Sequence, residues 1–259
     1  MTDINQVIKT IDIHCADNET ISPVSVKIIQ EVSLEVLLNG KFVASIACAG
    51  NYPDELAAGF LKSERIVSTR DQILKIEVDN NTHHVNVLLK EDKKYSAANT
   101  TSIASSGARD QAHIDSLLPL RVPDSFRIKS GVALKLMKDF LEGTHIHKET
   151  HGTHCSALAR EDKLFVLRED IGRHNTIDML AGHCLLRGIN IDDAILFTTG
   201  RISSEIVYKV WNMGIPAIIS HSAPTLKAVE LLRKANITSV GYVRGGKMNI
   251  YSQERRVII

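Results

Sequence analysis

The chain has 259 residues, and its 31 Lys and Arg against 30 Asp and Glu give a formal net charge of +1, leaving no global field to draw in nucleic acid or an anionic membrane. Met1 to Asn5 lack the basic and apolar segments of an export signal, and no apolar run reaches bilayer length, so a cytoplasmic protein without a nucleic-acid or membrane partner is expected. Cys15, Cys48, Cys155 and Cys184 are widely spaced with no Cys-x-x-Cys pair, which argues against a disulfide framework or a zinc ribbon.

In chain order, the first third reads as β-rich. Residues 24–36 are dense in Val, Ile and Leu, Asn39-Gly40 is a hairpin turn, and 41–48 return as a strand. Residues 54–63 have helical spacing with Pro53 and Asp54 as start signals, and 73–78 and 84–89 alternate around Asp79-Asn80-Asn81 as a second hairpin. Between 91 and 112 Ser, Thr, Ala and Gly replace the apolar pattern, as in a functional loop or domain joint. The chain therefore divides into a β-rich N-terminal part, 1–112, and an α/β domain, 113–259.

The second part opens with helical patterns at 113–118 and 130–141, then a hairpin of 156–160 with 164–167 about Glu161-Asp162. Helix 173–187, strand 194–198, helix 203–213, strand 217–220, helix 225–234, strand 239–243 and strand 248–251 follow. This order predicts an α/β or α+β fold whose sheet has a parallel portion with helices packed on it.

The polar signals fall where such a sheet meets a ligand. Thr199-Gly200-Arg201 and Ser220-His221-Ser222 each follow an apolar run and precede a helix, and Tyr242-Val243-Arg244-Gly245-Gly246-Lys247 closes the series. Backbone N–H groups and hydroxyls at helix N-termini outside the carboxyl ends of strands suit a phosphate-bearing ligand, and Arg201 and Arg244 can each donate paired hydrogen bonds to it. Plain turn chemistry also accounts for the Gly, Ser and Thr residues. Arg173 and His174 follow the acids Glu169 and Asp170 at a helix start, where capping and ligand contact are both open. His145, His147, His151 and His154 with Cys155 fall within eleven residues and offer zinc-type ligands, for which a metal-dependent hydrolase is the corresponding reading. No Cys-x-x-Cys completes a deaminase signature, so no metal is expected; His145 and His147 fit one face of a strand.

The strings Phe197-Thr198-Thr199-Gly200-Arg201-Ile202-Ser203-Ser204-Glu205, Ser220-His221-Ser222-Ala223-Pro224-Thr225 and Arg244-Gly245-Gly246-Lys247-Met248-Asn249-Ile250-Tyr251-Ser252 closely resemble the formate dehydrogenase accessory sulfurtransferase family, FdhD/NarQ. So do Arg168 to Asn175, Gly152 to Leu158 and Pro53 to Leu61, which extends the likeness over nearly the whole chain. The resemblance implies a second domain with a cytidine deaminase-like fold and a cytoplasmic homodimer. It also implies a site for molybdenum bis(molybdopterin guanine dinucleotide), of which GDP is a fragment. Its implied partners are formate dehydrogenase and a cysteine desulfurase that supplies sulfur as a persulfide. The family's sulfur loop is Cys-Gly-x-Cys-Gly, but here Ile103 stands at the first cysteine position and Ser106 at the second. Neither side chain can carry sulfane sulfur. Cys155 is the one substitute carrier that the motifs offer, and a cofactor chaperone without catalysis is the alternative function.

Overall fold

The computed structural model describes residues 7–91, 102–103 and 117–259. The chain opens with an antiparallel ribbon, β1 (Ile8–Ala16) with β2 (Ile21–Ile29), and the expected single run across 24–36 is broken at residues 30–31 before β3 (Val32–Leu38). Turning through Asn39 and Gly40, both at positive φ, β3 pairs with β4 (Lys41–Cys48). Helix α1 (Pro53–Ser63) begins with Pro53 and has Asp54 and Glu55 in its first turn, near the positive end of the helix dipole. The second predicted hairpin is β5 (Ile73–Asp79) with β6 (His84–Leu89). With the two-residue β7 (Ser102–Ile103), which runs parallel to β4, these strands form one sheet of order β5-β6-β3-β4-β7.

Most of the 91–112 segment and of the helix expected at 113–118 lies outside the described residues, and Leu117 and Leu118 are not helical. Next come β8 (Ile128–Lys129), α2 (Ser130–Glu142) and α3 (His145–Thr150). The last corrects the strand expected for His145 and His147 to a short helix. The hairpin β9 (His154–Arg160) with β10 (Lys163–Asp170) leads into α4 (Arg173–Arg187), whose bounds match the expected ones. Then β11 (Ile195–Thr198), α5 (Ser204–Met213), β12 (Ala217–Ser220), α6 (Leu226–Lys234), β13 (Thr238–Arg244), β14 (Lys247–Ser252) and β15 (Val257–Ile258) follow. The main sheet has the order β10-β9-β11-β12-β13-β14, with β11, β12 and β13 parallel and the flanking strands antiparallel.

Alternating strand residues send their side chains to opposite faces. Ile195, Phe197, Ile219 and Val240 pack with Leu136, Met137 and Phe140 of α2, while Leu196 and Ile218 meet Ile177, Ile206, Val210 and Leu232 of α4, α5 and α6. The first sheet builds a separate core around Leu56, Phe60 and Leu61 of α1, and Met179 and Leu185 of α4 belong to that core as well. Helix α4 is thus shared between the two sheets.

Contact between α1 and α4 is backbone to backbone. A Cβ on Gly59 would lie 1.7 Å from the Asp178 carbonyl oxygen, and one on Gly182 would lie 1.9 Å from that of Glu55. Beside this crossing, buried Glu55 accepts from Arg168 Nε at 2.6 Å, Arg168 Nη2 at 2.9 Å and Arg187 Nη1 at 2.9 Å, and pairs with His183 Nδ1 at 2.9 Å. The Arg168 guanidinium also lies 3.9 Å from the ring centre of Tyr52. Farther along, Asp178 accepts from Ser63 of α1 at 2.6 Å and pairs with Lys209 of α5. Burial raises the pKa of Glu55, but the hydrogen bonds and charges of Arg168 and His183 outweigh that effect and hold it below the usual glutamate value.

Two outcomes follow for stability. Gly59→Ala should destabilise by about 3 kcal/mol, the upper part of the overpacking range, because backbone must move, whereas Gly131→Ala near the start of α2 meets open space and should stabilise by about 0.5 kcal/mol. Urea unfolding measures both. Because the folded pKa of Glu55 is depressed, its contribution is present above the unfolded value and lost as pH falls through the folded one. Glu55→Gln should therefore cost about 3 kcal/mol at neutral pH and flatten the loss of stability below the ordinary glutamate range, as read from urea midpoints across acidic pH.

Candidate functional site

The carboxyl ends of β11, β12 and β13 converge on one edge of the main sheet, and the sequence supplies short polar turns at each. Thr198, Thr199 and Gly200 leave β11, Ser220, His221 and Ser222 leave β12, and Tyr242 sits within the last turn of β13. Side chains of the middle turn fasten it to the first: Ser220 Oγ donates to the Gly200 carbonyl at 2.7 Å and Ser222 Oγ to that of Thr199 at 2.9 Å. Ser222 in turn accepts the Tyr242 N–H through its carbonyl at 2.9 Å. Both serine hydroxyl protons are therefore engaged by the frame of the turns. Beneath them Ser156, Thr176 and Thr198 form a buried hydroxyl chain, 2.8 and 3.1 Å long in its two links, that locks β9, α4 and β11 together.

Arg173 starts α4 and lies across Gly200, whose added Cβ would meet Arg173 Cβ at 3.1 Å and Cδ at 3.2 Å. Gly200 serves here by leaving room for that arginine. The Nε of Arg173 is buried with no hydrogen-bond partner among the described residues, and so is the Ser203 hydroxyl at the start of α5. Arg201 is exposed in the adjoining turn. His154, at the start of β9, has a pKa lowered first by burial and then by the charges of Arg173, His147 and Arg201. Four basic side chains, His154, Arg173, His147 and Arg201, thus act on one another at this corner, and none of the effects on His154 comes from an acid. The motifs single out Arg173 and Arg201; His154 and Ser203 lie inside the family strings, but residue type and spacing assign neither of them a ligand.

The terminal stretch separates into parts. Tyr242 adopts a positive φ of 56° at an irregularity between Gly241 and Arg244, and the Arg244 guanidinium stacks 3.5 Å from its ring centre. Gly241 is confined, since a Cβ there would come within 2.9 Å of the Ser222 carbonyl oxygen. Val243 is buried in the core facing α2, and its side chain is structural. Gly245 and Gly246, at positive φ, form the open tip of the β13–β14 hairpin before the exposed Lys247.

Asp170 joins this edge to the first sheet. Its carboxylate accepts from the Ala49 N–H at 2.8 Å, the Gly172 N–H at 2.9 Å and Asn175 Nδ2 at 2.6 Å, and Asn175 Nδ2 also donates to the Ala47 carbonyl at 2.8 Å. Burial pushes its pKa up to about 6 against these donors, which favour the ionised form. Nearby, Glu169 accepts the N–H groups of Ile146 at 3.1 Å and His147 at 2.7 Å in the first turn of α3.

The histidine cluster is dispersed. His147 Nδ1 is 2.7 Å from the Thr153 carbonyl, His145 and His151 are exposed, and His151 meets His147 edge to face at 6.0 Å between ring centres. Among the described residues no group of three or more His, Cys, Asp or Glu is arranged to hold a metal ion. Cys155 is fully buried with its thiol 3.5 Å from Glu169, and burial and that carboxylate push its pKa strongly up. A thiol held protonated this way is a poor nucleophile and a poor substitute carrier. Cys48 is buried and pushed up to about 12. Ile103 pairs through its backbone with Ile46 as part of β7, and Ser106 lies outside the described residues.

Comparison with known proteins agrees with the motif reading. The sulfur carrier protein FdhD of Bacillus subtilis (strain 168) is 34% identical over 242 residues, covering 92% of each chain. Its namesake from Staphylococcus aureus (strain MRSA252) is 34% identical over 235 residues, covering 89% of each. The fold matches that of a protein described as a formate dehydrogenase accessory protein from Desulfotalea psychrophila, with a TM-score of 0.80 and 21% identity over 97% of this chain and 100% of that one. No helix among the described residues is long and apolar enough to cross a membrane. The FdhD/NarQ family model matches residues 29–258, and the chain belongs to that family.

Proposed function

We propose that this protein serves formate dehydrogenase maturation by holding molybdenum bis(molybdopterin guanine dinucleotide) as its client at the strand-end crevice. The observation that carries the reading is the corner of Arg173, Arg201 and His154, where the Arg173 Nε is buried with no partner among the described residues. An unpaired buried guanidinium N–H is costly unless an acceptor arrives, and phosphate oxygens are such acceptors. The residues fit the group. Gly200 leaves room for Arg173 to lie across the β11 turn, the N-terminal turn of α5 offers backbone N–H groups, and Tyr242 capped by Arg244 offers a planar surface for a guanine base. In this reading Arg173 and Arg201 bind phosphate, while Ser220 and Ser222 keep the turns in place. A deaminase-like arrangement of the second domain accords with three parallel strands that have helices on both faces.

GDP binding measured by calorimetry tests the site. The native protein should bind, and Arg173→Ala should weaken binding by about 1.5–3 kcal/mol, the range for a charge-assisted hydrogen bond. Because an arriving phosphate raises the depressed pKa of His154, binding should take up protons near neutral pH, and the measured enthalpy should then vary with the ionisation enthalpy of the buffer. Absence of GDP binding by the native protein at millimolar ligand removes the reading.

Curated relatives are named sulfur carriers, and a cysteine desulfurase would be the sulfur donor. This chain is better read as retaining cofactor binding without the persulfide step, because Ile103 occupies the first carrier position while Cys48 and Cys155 are buried, protonated thiols. Expressed in cells lacking their own accessory sulfurtransferase, it should fail to restore formate dehydrogenase activity, and Ile103→Cys with Ser106→Cys should raise that activity. Full restoration by the native chain that is lost on Cys155→Ala would place the carrier at Cys155 instead.

A further inference from the structure

Ile195 opens β11 at the end opposite the strand-end crevice, and the cavity that it lines there, of about 630 Å³, has no part in the cofactor reading. Four-residue β11 sets this cavity roughly 10 Å of strand away from Thr198 and the turn that follows it. Val132, Ala133 and Leu136 of α2 line one side, and Phe126, Ile128 and Ile195 complete an apolar lining. Four of the six are buried, while Phe126 and Val132 are half-buried. Beside them an added Cβ on Gly131 would meet nothing within 4 Å, so the start of α2 borders open space. The volume falls among those of pockets that take small organic molecules, about 300–1,000 Å³.

Charges around this lining are unevenly matched. Asp193 is committed to Arg160 at 2.8 Å, and Asp162 acts on Lys135, which leaves Glu161 exposed in the hairpin turn. On the β8 side, Lys129 has no hydrogen bond or ion pair among the described residues, and Arg127 donates to the Asp124 and Phe126 carbonyls of its own turn at 2.5 and 2.9 Å but to no carboxylate among them. Arg256 precedes β15, the strand paired with β8, and its buried guanidinium rests on the neutral acceptors of Asn236 and Thr238. Burial lowers its pKa, the charges of Arg255 and Arg127 lower it further, and Asp124 acts the other way. Positive charge therefore accumulates where β8 meets the cavity.

We propose that this cavity is a second ligand site, for a small amphipathic anion whose apolar body enters between α2 and Ile195 and whose single carboxylate, sulfonate or phosphate group meets Lys129 and Arg127. Apolar walls lower the local dielectric and focus the field of charges set beside them, so two unmatched cations next to an uncharged lining favour an anion that carries its own apolar surface. A free inorganic anion leaves the lining uncovered. A neutral hydrocarbon leaves both cations unmatched, and a cationic amphiphile meets repulsion from them. The site shares no residue with the strand-end crevice, so it stands or falls independently of cofactor binding.

Fluorescence titration of the full chain with 8-anilinonaphthalene-1-sulfonate, an amphipathic sulfonate, tests the site. The native protein should bind one equivalent saturably. Decanoate should displace the probe, whereas decylammonium, of the same chain length and opposite charge, should not; nor should GDP, which reports on the crevice. Lys129→Glu should weaken binding about tenfold or more by reversing a charge beside the anion. An acid at the start of α2 suits the helix dipole, so this variant keeps its fold. Lys138→Glu makes the same change of charge farther along α2 and should leave the affinity unaltered. Val132→Trp should abolish binding by filling the cavity, with near-ultraviolet circular dichroism establishing that it is folded. Absence of saturable binding, displacement by GDP, equal displacement by decylammonium, or an affinity indifferent to Lys129→Glu would each overturn the proposal; if Val132→Trp unfolds, the two lysine variants decide.

Discussion

Everything in this molecule that lies between its two main sheets is referred to one close approach, the crossing of α1 and α4 at Gly59 and Gly182. Helices normally pack 8–10 Å apart because side chains keep them there. Two glycines remove that spacer, and the helices meet through their backbones. That proximity lets a single helix, α4, contribute Met179 and Leu185 to the first core and Ile177 and Leu180 to the second. It also brings Glu55 within reach of Arg168, His183 and Arg187, which come from two different elements. A buried carboxylate facing several basic groups is a weak source of net stability but a strong selector of geometry, since any other docking leaves charge unpaired.

The N-terminus of α4 inherits this placement. Arg173 is its first residue, and Asp170, three residues earlier, is tied to Ala49, immediately after β4 of the first sheet. The position of Arg173 over Gly200 is therefore set both by the main sheet, which carries Gly200, and by the first sheet acting through Asp170 and Asn175. The serines and threonines of the strand-end turns act in the same sense, spending their hydroxyl protons on neighbouring carbonyls so that a cationic corner is held open before any ligand arrives.

Much of this was legible in the residues. Beyond Arg173 the order of strands and helices was readable from length, because apolar runs of four residues bounded by turn residues alternate with helical spacing over 10 residues in α5 and 9 in α6. The Asn39-Gly40 turn and the Pro53 start were equally plain. What escaped was long-range or weakly patterned. The β1 strand carries Thr, Asp and His on its second face and no turn dipeptide of the usual kind, so its exposed alternation left no core signal to find. His145 and His147 read as a strand because α3 is only six residues long and is held by Glu169, which accepts from N–H groups of its first turn 23 and 22 residues away. The ionic cluster around Glu55 joins positions more than a hundred residues apart, for which a single sequence offers no spacing to read. At the candidate site, the motifs point to Arg173, Arg201 and the terminal hairpin, whereas the bonds of Ser220 and Ser222 to neighbouring carbonyls join turns about twenty residues apart and leave no mark in a single sequence.

Two close approaches described above differ in what they permit over evolutionary time. At Gly200 the atoms that an added methyl would strike belong to the Arg173 side chain. A larger residue at 200 asks that side chain only to give by a few tenths of an ångström, so ligand preference can drift through changes at these two positions. At Gly59 and Gly182 the obstacle is the partner's main chain, present whatever residue is encoded there. No second-site substitution can clear it, so mutational routes through the crossing are closed in both directions. The joint between the sheets is thereby frozen while the crevice it supports stays free to diverge.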